Sequence, residues 1–187
     1  MNFDEMYPKI LSEYEQVFQK IDYKNIRDFM DTVRDSNRIF LIGVGREGMA
    51  TRAFAMRLMH MGKEIHWIWD DTTPGIEPGD LLIATLGDGQ IGHIHYICER
   101  AKEAGGNICV VTGSPSGRTA RDLADQVLFL PAAVYRGTDA VVPSFQPMGN
   151  LFEQCLLILF DMVIMMLVDE DPAQSFEKMS ERHRNVE

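Results

Sequence analysis

Basic residues, cysteines and long hydrophobic runs are scarce in this sequence. These are the features that direct a protein to nucleic acid, to an oxidising compartment or into a membrane. There are 18 lysines and arginines against 28 acidic residues, and the net charge of −10 argues against a nucleic-acid surface, which needs clustered cations. The only cysteines, Cys98, Cys109 and Cys155, are odd in number and widely spaced in apolar surroundings. This pattern predicts buried free thiols in a reducing compartment and no zinc site.

A long uninterrupted hydrophobic run is also missing. The most apolar segment, 156–168, contains Asp161 and follows Glu153 and Gln154. Its unbroken stretches are shorter than the roughly 20 residues of a membrane span. The first 20 residues are acidic and mixed in character, unlike a secretory signal. We therefore expect a cytoplasmic protein with no membrane partner, in which this segment is buried in the core or against another subunit.

The composition of the chain is that of a globular protein, and its sequence pattern alternates strands with helices. With 187 residues, 45% of them hydrophobic, the chain is expected to form one domain over 1–187. Helical periodicity predicts two helices within 3–35, separated near Asp22, and helical segments near 151–169 and 173–184. Strand-like runs occupy 38–44, 64–69, 81–86, 107–113 and 126–132, with turn residues between them.

This alternation predicts a three-layer α/β sandwich with a five-stranded parallel, Rossmann-like sheet. The parts of the domain are N-terminal helices over 1–36, the parallel core over 37–132 and C-terminal helices over 150–187. A loop over 133–149 is long enough to suggest a function. Ligands of open parallel sheets bind beyond the carboxyl ends of the strands, which directs attention to 43–48, 85–95, 112–119 and the loop before Glu153.

A glycine-rich turn joins the first strand to a helix. Gly43, Gly45 and Gly48 satisfy the G-x-G-x-x-G spacing, and such a turn exposes backbone N–H groups that bind anions. Acids at Asp70 and Asp71, after the next strand, complete an arrangement that a dinucleotide fold would also show. A nucleotide-dependent oxidoreductase is therefore one candidate, although the chain has little room for a separate substrate domain.

Three colinear stretches, covering about three quarters of the chain, resemble the sugar-isomerase (SIS) family and within it the 3-hexulose-6-phosphate isomerases. They are 43–62, 72–84 and 146–154, followed by a tail that ends Arg182-His183-Arg184-Asn185. The resemblance implies isomerisation of a sugar phosphate through an enediol, without metal or nucleotide cofactor, in a homo-oligomer of the tetramer type. It implies that Glu153 is the base and that His183, in its own or a neighbouring subunit, moves the oxygen-bound proton.

Each of these candidates also has a structural interpretation. Glu153 could be an acid that stabilises the first turn of a helix, and His183 could be a solvated residue among charges. His60, the third catalytic candidate, lies on an apolar helix and could be a core histidine. The predicted substrate-binding residues are Gly45, Arg46, Glu47, Gly87, Asp88, Gly89, Gln90, Ser114 and Gln146.

The sequence departs from the family at the turns that should hold phosphate. Where relatives carry Ser-Gly-Ser-Gly-Glu-Thr, this chain has Leu86-Gly87-Asp88-Gly89-Gln90-Ile91, and Glu47 stands where relatives commonly carry serine. Four hydroxyl positions are lost and two carboxyl groups are gained. A carboxylate next to a phosphate is repulsive by several kcal/mol at an effective dielectric constant of about 20.

Three hypotheses account for a chain that resembles the family but differs from it at the phosphate-binding turns. Arg46, Arg118 or residues 114–116 could compensate and hold a phosphate. The substrate could instead be an unphosphorylated or cationic sugar, or the chain could be a non-catalytic regulator that senses a sugar. A metal held by Asp88, His93 and His95 is not expected, because residues 93 and 95 of one helix point about 200° apart.

Overall fold

The chain opens with two helices and then alternates strands with helices. The structure, a computed structural model, describes residues 2–137 and 139–186. Within these residues the elements are α1 (Phe3–Lys20), α2 (Tyr23–Asp35), β1 (Arg38–Ile42), α3 (Gly45–His60), β2 (Glu64–Trp67), β3 (Leu81–Thr85), α4 (Gly92–Glu103), β4 (Asn107–Thr112), α5 (Arg118–Leu123), β5 (Gln126–Phe129), α6 (Asn150–Glu170) and α7 (Phe176–Glu181).

The first two helices begin at side chains that cap them. Asn2 accepts the backbone N–H of Glu5 at 3.0 Å, and the Glu5 carboxylate accepts the N–H of Asn2 in return, which forms a capping box. Asp22 accepts the N–H of Lys24 at 2.9 Å and starts α2. The predicted separation of two helices near Asp22 is confirmed.

The five strands form one parallel sheet in the order β2-β1-β3-β4-β5. Successive residues of a strand point to opposite faces, so β1 sends Ile39 and Leu41 into one apolar cluster and Phe40 and Ile42 into another. Helices α1, α2, α3, α6 and α7 cover the first face, while α4 and α5 cover the second. The predicted three-layer α/β sandwich is therefore confirmed.

Several predicted boundaries were too wide. Strand β5 ends at Phe129, because that residue pairs with Thr112, the last residue of the neighbouring strand β4. Helix α7 starts after Ser175, whose side chain accepts the N–H of Lys178, so it is shorter than the predicted 173–184. Helix α3 starts at Gly45, which places the second half of the glycine turn inside the first helical turn.

Helix α6 is the buried helix that the sequence predicts. It packs mainly on α3, where the rings of Phe54 and Phe160 stack with centroids 4.1 Å apart. By length and composition alone it could cross a membrane, with a mean hydropathy of 2.2, but half of the apolar window is buried inside the fold. The buried residues of α6 belong to the apolar cluster on the first face of the sheet, so this side of the helix is part of the core.

The predicted free thiols are confirmed, with Cys109 and Cys155 in the apolar cluster on the first face of the sheet and Cys98 in the cluster on the second. Cys98, Cys109 and Cys155 are buried and unpaired with one another. Burial raises the pKa of Cys98 and of Cys155 to about 12, so both thiols remain protonated at neutral pH.

The strand order creates a crevice at one edge of the sheet. Strand β1 lies between β2 and β3, so the connections that leave β1 and β3 depart in opposite directions. Such a switch point is the usual ligand site of an open parallel sheet. Here it is bounded by the start of α3, the loop after β3 and the start of α6.

Candidate active site

A cavity of about 180 Å³ lies at this switch point. It is smaller than the roughly 300–1,000 Å³ of typical ligand pockets and suits a small molecule. Three elements that are distant in sequence meet here, together with the loop that precedes α6. The lining residues are Glu47, Gly87, Asp88, Ile91, Val134, Tyr135, Met148, Gly149, Phe152 and Glu153.

Glu153 presents its carboxylate to the cavity from the first turn of α6. The guanidinium Nε of Arg46, at the start of α3, lies 2.5 Å from Glu153 Oε2. The Glu153 side chain is only 18% exposed, whereas that of Arg46 is 58% exposed. Among the described residues only Oε2 is engaged, so Oε1 is available to a ligand. The pair holds a carboxylate in a fixed position at the cavity wall.

The backbone before α6 is shaped by a pair of left-handed residues. Met148 has φ 58° and Gly149 has φ 81°. A Cβ atom at Gly149 would lie 2.8 Å from the backbone N of Tyr135, so only glycine permits this approach. A non-glycine residue such as Met148 adopts this conformation at a cost of order 1–3 kcal/mol, which is typical of functional sites. The turn places Glu153 beside the loop that lines the cavity.

Glu47 is the second carboxyl group of the cavity. From the first turn of α3 its Oε2 accepts the backbone N–H of Gly87 at 2.7 Å. Burial raises the pKa of Glu47 to about 8, and the nearby Asp88 and Glu153 add to this effect, against the opposing hydrogen bond from Gly87. The sequence suggested an ionised carboxylate here, and that interpretation is corrected: Glu47 is mainly a neutral acid at pH 7.

We expect this carboxyl group to make the stability of the protein depend on pH. The folded protein holds a proton on Glu47 up to about pH 8, whereas the unfolded chain loses it near 4.5. The free energy of unfolding should therefore fall as pH rises from 4.5 to 8, by up to a few kcal/mol. Urea titrations across this range check the slope.

The matched variant for this measurement is Glu47→Gln, whose side chain has no proton to lose. Its free energy of unfolding should change less with pH than that of the native chain. Glu15→Gln, at an exposed position of α1, is the control and should leave the slope unchanged. If the free energy of unfolding of Glu47→Gln and of the native chain changed equally with pH, the raised pKa of Glu47 would be contradicted.

The loop after β3 uses its backbone donors internally. The N–H of Gly89 donates to the carbonyl of Leu86 at 3.1 Å, and the N–H of Gln90 donates to Asp88 Oδ1 at 3.0 Å. Leu86 is fully buried in the apolar cluster beneath the loop. The residue in the position of the family's first serine is therefore part of the core and does not face the cavity.

This loop packs directly on the loop after β4. A Cβ atom at Gly89 would lie 2.9 Å from the Cα of Gly117, so the two backbones touch. Ser114 is buried and does not line the cavity. The hydroxyls of Ser114 and Ser116 instead donate to Asp139 Oδ2 at 2.6 and 2.8 Å, and these bonds hold the pKa of Asp139 below its usual value. Asp139 lies in the long loop, where the sequence indicated a functional segment but no particular residue.

The predicted ligand Gln146 also has a different partner. Its Nε2 donates to Glu13 Oε2 at 2.9 Å, and Glu13 further accepts the N–H of Phe145 and the hydroxyl of Ser144. Gln146 does not line the cavity. Its role in the structure is to anchor the loop to α1. The sequence offers one signal for Glu13, because it lies on the same helical face as Val17.

His60 and His183 lie together, but away from Glu153. Their ring centroids are 5.2 Å apart in a second cavity of about 630 Å³, which Asp161 also lines. Burial lowers the pKa of His60, and the neighbouring Arg57 and His183 lower it further. Thirteen residues of α3 separate Glu47 from His60, which corresponds to about 20 Å along the helix. One chain alone therefore does not bring either histidine to the Glu153 cavity.

The hypothetical metal ligands do not converge. His95 Nδ1 lies 3.0 Å from the hydroxyl of Thr119, and His93 packs against the ring of Trp69. Across residues 2–137 and 139–186, no group of three or more histidine, cysteine or acidic side chains is placed to hold a metal ion. Gly45, the remaining predicted residue, has φ 56° and begins α3 outside the cavity lining.

Comparison with known proteins finds relatives over the whole chain. It is 32% identical to the 3-hexulose-6-phosphate isomerase of Bacillus subtilis over 187 residues, which is 100% of both chains. It is 34% identical to that of Mycobacterium gastri over 178 residues, 95% of this chain and 88% of the relative. No family model matches the chain.

A solved structure supports the same relationship. A hypothetical protein from Methanococcus jannaschii, whose structure was reported to infer a 3-hexulose-6-phosphate isomerase function, is 27% identical. The alignment covers 98% of this chain and 99% of that protein with a TM-score of 0.84. These similarities favour an isomerase over the dinucleotide-dependent oxidoreductase and over the non-catalytic regulator.

Proposed function

The chain belongs to the 3-hexulose-6-phosphate isomerases of the sugar-isomerase (SIS) family, and on this premise we propose that it moves the carbonyl group of a sugar or sugar phosphate to a neighbouring carbon through an enediol. The observation that carries the proposal is the Glu153 carboxylate, fixed by Arg46 at the wall of a small cavity. A general base must lie within hydrogen-bond reach of the carbon that it deprotonates, and Oε1 meets this requirement for a ligand in the cavity.

In the proposed reaction Glu153 takes the proton from the carbon beside the carbonyl. The electron pair of the broken C–H bond forms the C=C bond of the enediol, and the carbonyl π pair moves to oxygen, which gains a proton. The hydroxyl on the deprotonated carbon then loses its proton, its oxygen forms the new carbonyl, and the same carboxyl returns its proton to the former carbonyl carbon. Protons and electrons balance within the substrate, so the proposed reaction consumes no cofactor.

We further propose that the oxygen-bound proton is moved by a histidine of another subunit. His183, with His60 beside it, remains the candidate for this role. The distance along α3 supports a site shared between subunits, because the histidines of one chain lie far from its own Glu153.

The surface supports a homo-oligomer, and the tetramer remains our proposal. Helix α6 buries one side within its own chain, but exposed apolar side chains follow α3 and α6 on the outside. We call them the apolar ridge: Met49, Met56, Met59, Leu157 and Met165. Exposed apolar residues concentrated on two neighbouring helices favour an association surface, and closed symmetry would bury them.

Light scattering at micromolar concentration should therefore give a mass that is a multiple of the 21.3 kDa chain. Replacing Met56 by glutamate introduces a charge into the apolar ridge and should reduce the mass toward that of the monomer. Tyr96→Glu, at an exposed position of α4 across the sheet, is the control and should assemble normally. A native chain that remains at 21.3 kDa would refute the oligomer.

A cytoplasmic location is proposed on the three buried free thiols, which a reducing compartment preserves.

The activity itself is tested by proton exchange. Fructose, fructose 6-phosphate and 3-hexulose 6-phosphate are incubated with the protein in D₂O and followed by NMR. Isomerisation through an enediol places deuterium on the carbon beside the carbonyl and produces the isomer. If none of the three sugars exchanged a carbon-bound proton for deuterium, the proposed function would be rejected.

A further inference from the structure

We propose that the Glu47 carboxyl donates a hydrogen bond to the phosphate group of the substrate, at the position where relatives commonly carry serine, and that phosphate binding is coupled to a proton on this residue. This inference rests on the proposed function and concerns the regulation of the same site by pH. It is carried by the hydrogen bond that fixes Glu47, by the free backbone donors beside it and by the charges around it.

Glu47 is held by one of its two carboxyl oxygens. From the first turn of α3 its Oε2 accepts the N–H of Gly87 at 2.7 Å. Its Oε1 has no hydrogen-bond partner within residues 2–137 and 139–186, and the residue lines the cavity. In a neutral carboxylic acid the carbonyl oxygen accepts and the hydroxyl donates. The bond from Gly87 therefore assigns Oε2 as the carbonyl oxygen and leaves Oε1 as the hydroxyl that can donate to a ligand.

The contact that fixes Glu47 lies within a single chain. The first two turns of α3 are tied to the end of β3 a second time, because the hydroxyls of Thr51 and Thr85 lie 2.7 Å apart. Both of these threonines are fully buried. The position of the Glu47 carboxyl is therefore set by α3 and β3, and it does not depend on the neighbouring subunit that we propose completes the site.

Two backbone donors of the cavity lining are unoccupied. The backbone ladder of α3 begins with the N–H of Gly48, which donates to the carbonyl of Val44 at 2.9 Å, and no side chain caps the helix. Among the described residues the N–H of Glu47 therefore has no partner, and neither has the N–H of Asp88 in the loop after β3. Both residues line the cavity. An anion bound by these two N–H groups lies next to the Glu47 carboxyl, which can supply a third donor.

The charges around Glu47 favour its protonated form. Burial, with smaller contributions from the Asp88 and Glu153 carboxyl groups, raises its pKa to about 8 against the opposing backbone hydrogen bond. Tyr135, in the loop before α6, is the other titratable side chain of the described lining. The guanidinium of Arg46, next to Glu47 on α3, is bonded to Glu153. A bound phosphate adds negative charge and must raise the pKa of Glu47 further, because the binding of proton and phosphate is linked reciprocally.

A proton on Glu47 removes the repulsion that a carboxylate at this position would exert on a phosphate. The O–H group then donates to a charged oxygen, as a serine hydroxyl would, and such charge-assisted hydrogen bonds are strong. Loss of the proton converts this donor into a second anion. The site should therefore hold a sugar phosphate below the pKa of Glu47 and release it as pH rises through that value.

Calorimetry between pH 7 and 9.5 tests the coupling with fructose 6-phosphate and with sulfate. A phosphate ester loses its second proton near pH ~6, and sulfate is a dianion throughout this range, so neither ligand titrates. The protonated fraction of Glu47 falls from about nine-tenths to a few hundredths, and we expect the affinity for both ligands to fall at least tenfold. A fall of less than about threefold would overturn the inference. So would the failure of both ligands to bind at pH 7.

Glu47→Gln is the matched variant, because its amide oxygen can accept the N–H of Gly87 and its NH₂ group can donate to the phosphate without titrating. Its affinity for the two ligands should change less than about threefold over the same range. The control Glu15→Gln, at an exposed position of α1, should lose affinity with rising pH as the native chain does. Asp88, Glu153, Tyr135 and Arg46 are retained in both variants, so an equal loss of affinity in Glu47→Gln would assign the titration to another group and overturn the inference.

The native protein also allows the proton to be counted directly. Calorimetry in buffers of different ionisation enthalpy measures the protons taken up for each ligand bound. With a pKa of about 8, Glu47 is about three-quarters ionised at pH 8.5, so sulfate binding should take up more than about half a proton there and almost none at pH 7. No uptake at pH 8.5 would overturn the coupling.

Asp88→Asn offers a second variant should Glu47→Gln fold poorly. The amide oxygen can still accept the N–H of Gln90, so the change removes a charge that favours the proton on Glu47. The midpoint of the loss of affinity should therefore move to lower pH. A midpoint that stays in place would overturn the assignment of the proton to Glu47.

The outcome for the coupling is separable from that for catalysis. Deuterium exchange with fructose 6-phosphate at pH 7, combined with an affinity that does not change with pH, would keep the isomerase and reject the coupling. Binding that takes up a proton without any deuterium exchange would keep the coupling and reject the isomerase.

Discussion

Replacing Glu153 by glutamine is expected to reduce kcat by about 10²- to 10⁴-fold, the usual contribution of a positioned general base. The amide keeps the volume of the side chain and an oxygen for the Arg46 guanidinium, but it cannot accept the proton from carbon. The fold should be unaffected, since Glu153 lies at the cavity wall in the first turn of α6. Deuterium exchange measured by NMR gives the rate, and circular dichroism checks the fold.

Glu15→Gln is the matched control for this experiment. It makes the same chemical change on the exposed surface of α1 and should retain full activity. Full turnover by a folded Glu153→Gln variant would assign Glu153 to the stability of the helix, through its interaction with the helix dipole. The base would then have to be sought at His60 or His183.

Mixing two inactive variants is expected to restore activity if the site is shared between subunits. Glu153→Gln chains retain His183, and His183→Asn chains retain Glu153. In a random mixture about half of the two-fold pairs combine one chain of each kind, and one of their two shared sites is intact. About a quarter of the native activity should therefore return from a baseline near zero.

This prediction discriminates between two arrangements. A site built within one chain would stay inactive after mixing, because each chain lacks one of its groups. Restoration requires subunit exchange, so the two variants are unfolded and refolded together, with each refolded alone as the baseline. If His183→Asn is fully active by itself, His183 is not part of the reaction, and His60→Asn takes its place in the experiment.

The sequence by itself determined the fold to a large extent. The strand-like runs Leu81–Thr85 and Asn107–Thr112 are apolar throughout, which is the pattern of strands buried on both faces. The caps Asn2 and Asp22 set the starts of the first two helices through contacts with residues two or three positions away. Such signals are local, so they can be interpreted without knowing what lies nearby in space. Only the ends of the elements were misplaced, since they depend on where a neighbouring strand or cap stops.

The elements of the site were also visible in the sequence, because the glycine turn, the loop after β3 and the start of α6 must meet at one edge of a parallel sheet. The chemistry of these elements was not visible. Glu47 becomes a neutral acid only because the fold removes it from water and sets it against Gly87, 40 residues further along the chain. Burial and the charges of spatial neighbours fix a pKa, and the sequence specifies neither.

The tertiary structure decided the partners of the remaining groups for the same reason. Gln146 binds Glu13, which is 133 residues away, and Ser114 binds Asp139 across 25 residues. The sequence shows that these residues can form hydrogen bonds, but distant contacts select which bonds are made. Likewise, the sequence supplies His60 and His183 as proton carriers, and the 20 Å or so of helix between His60 and Glu47 separates them from the Glu153 site of their own chain. Local periodicity therefore determined the scaffold, whereas long-range packing determined which of its polar groups remain free to bind a ligand.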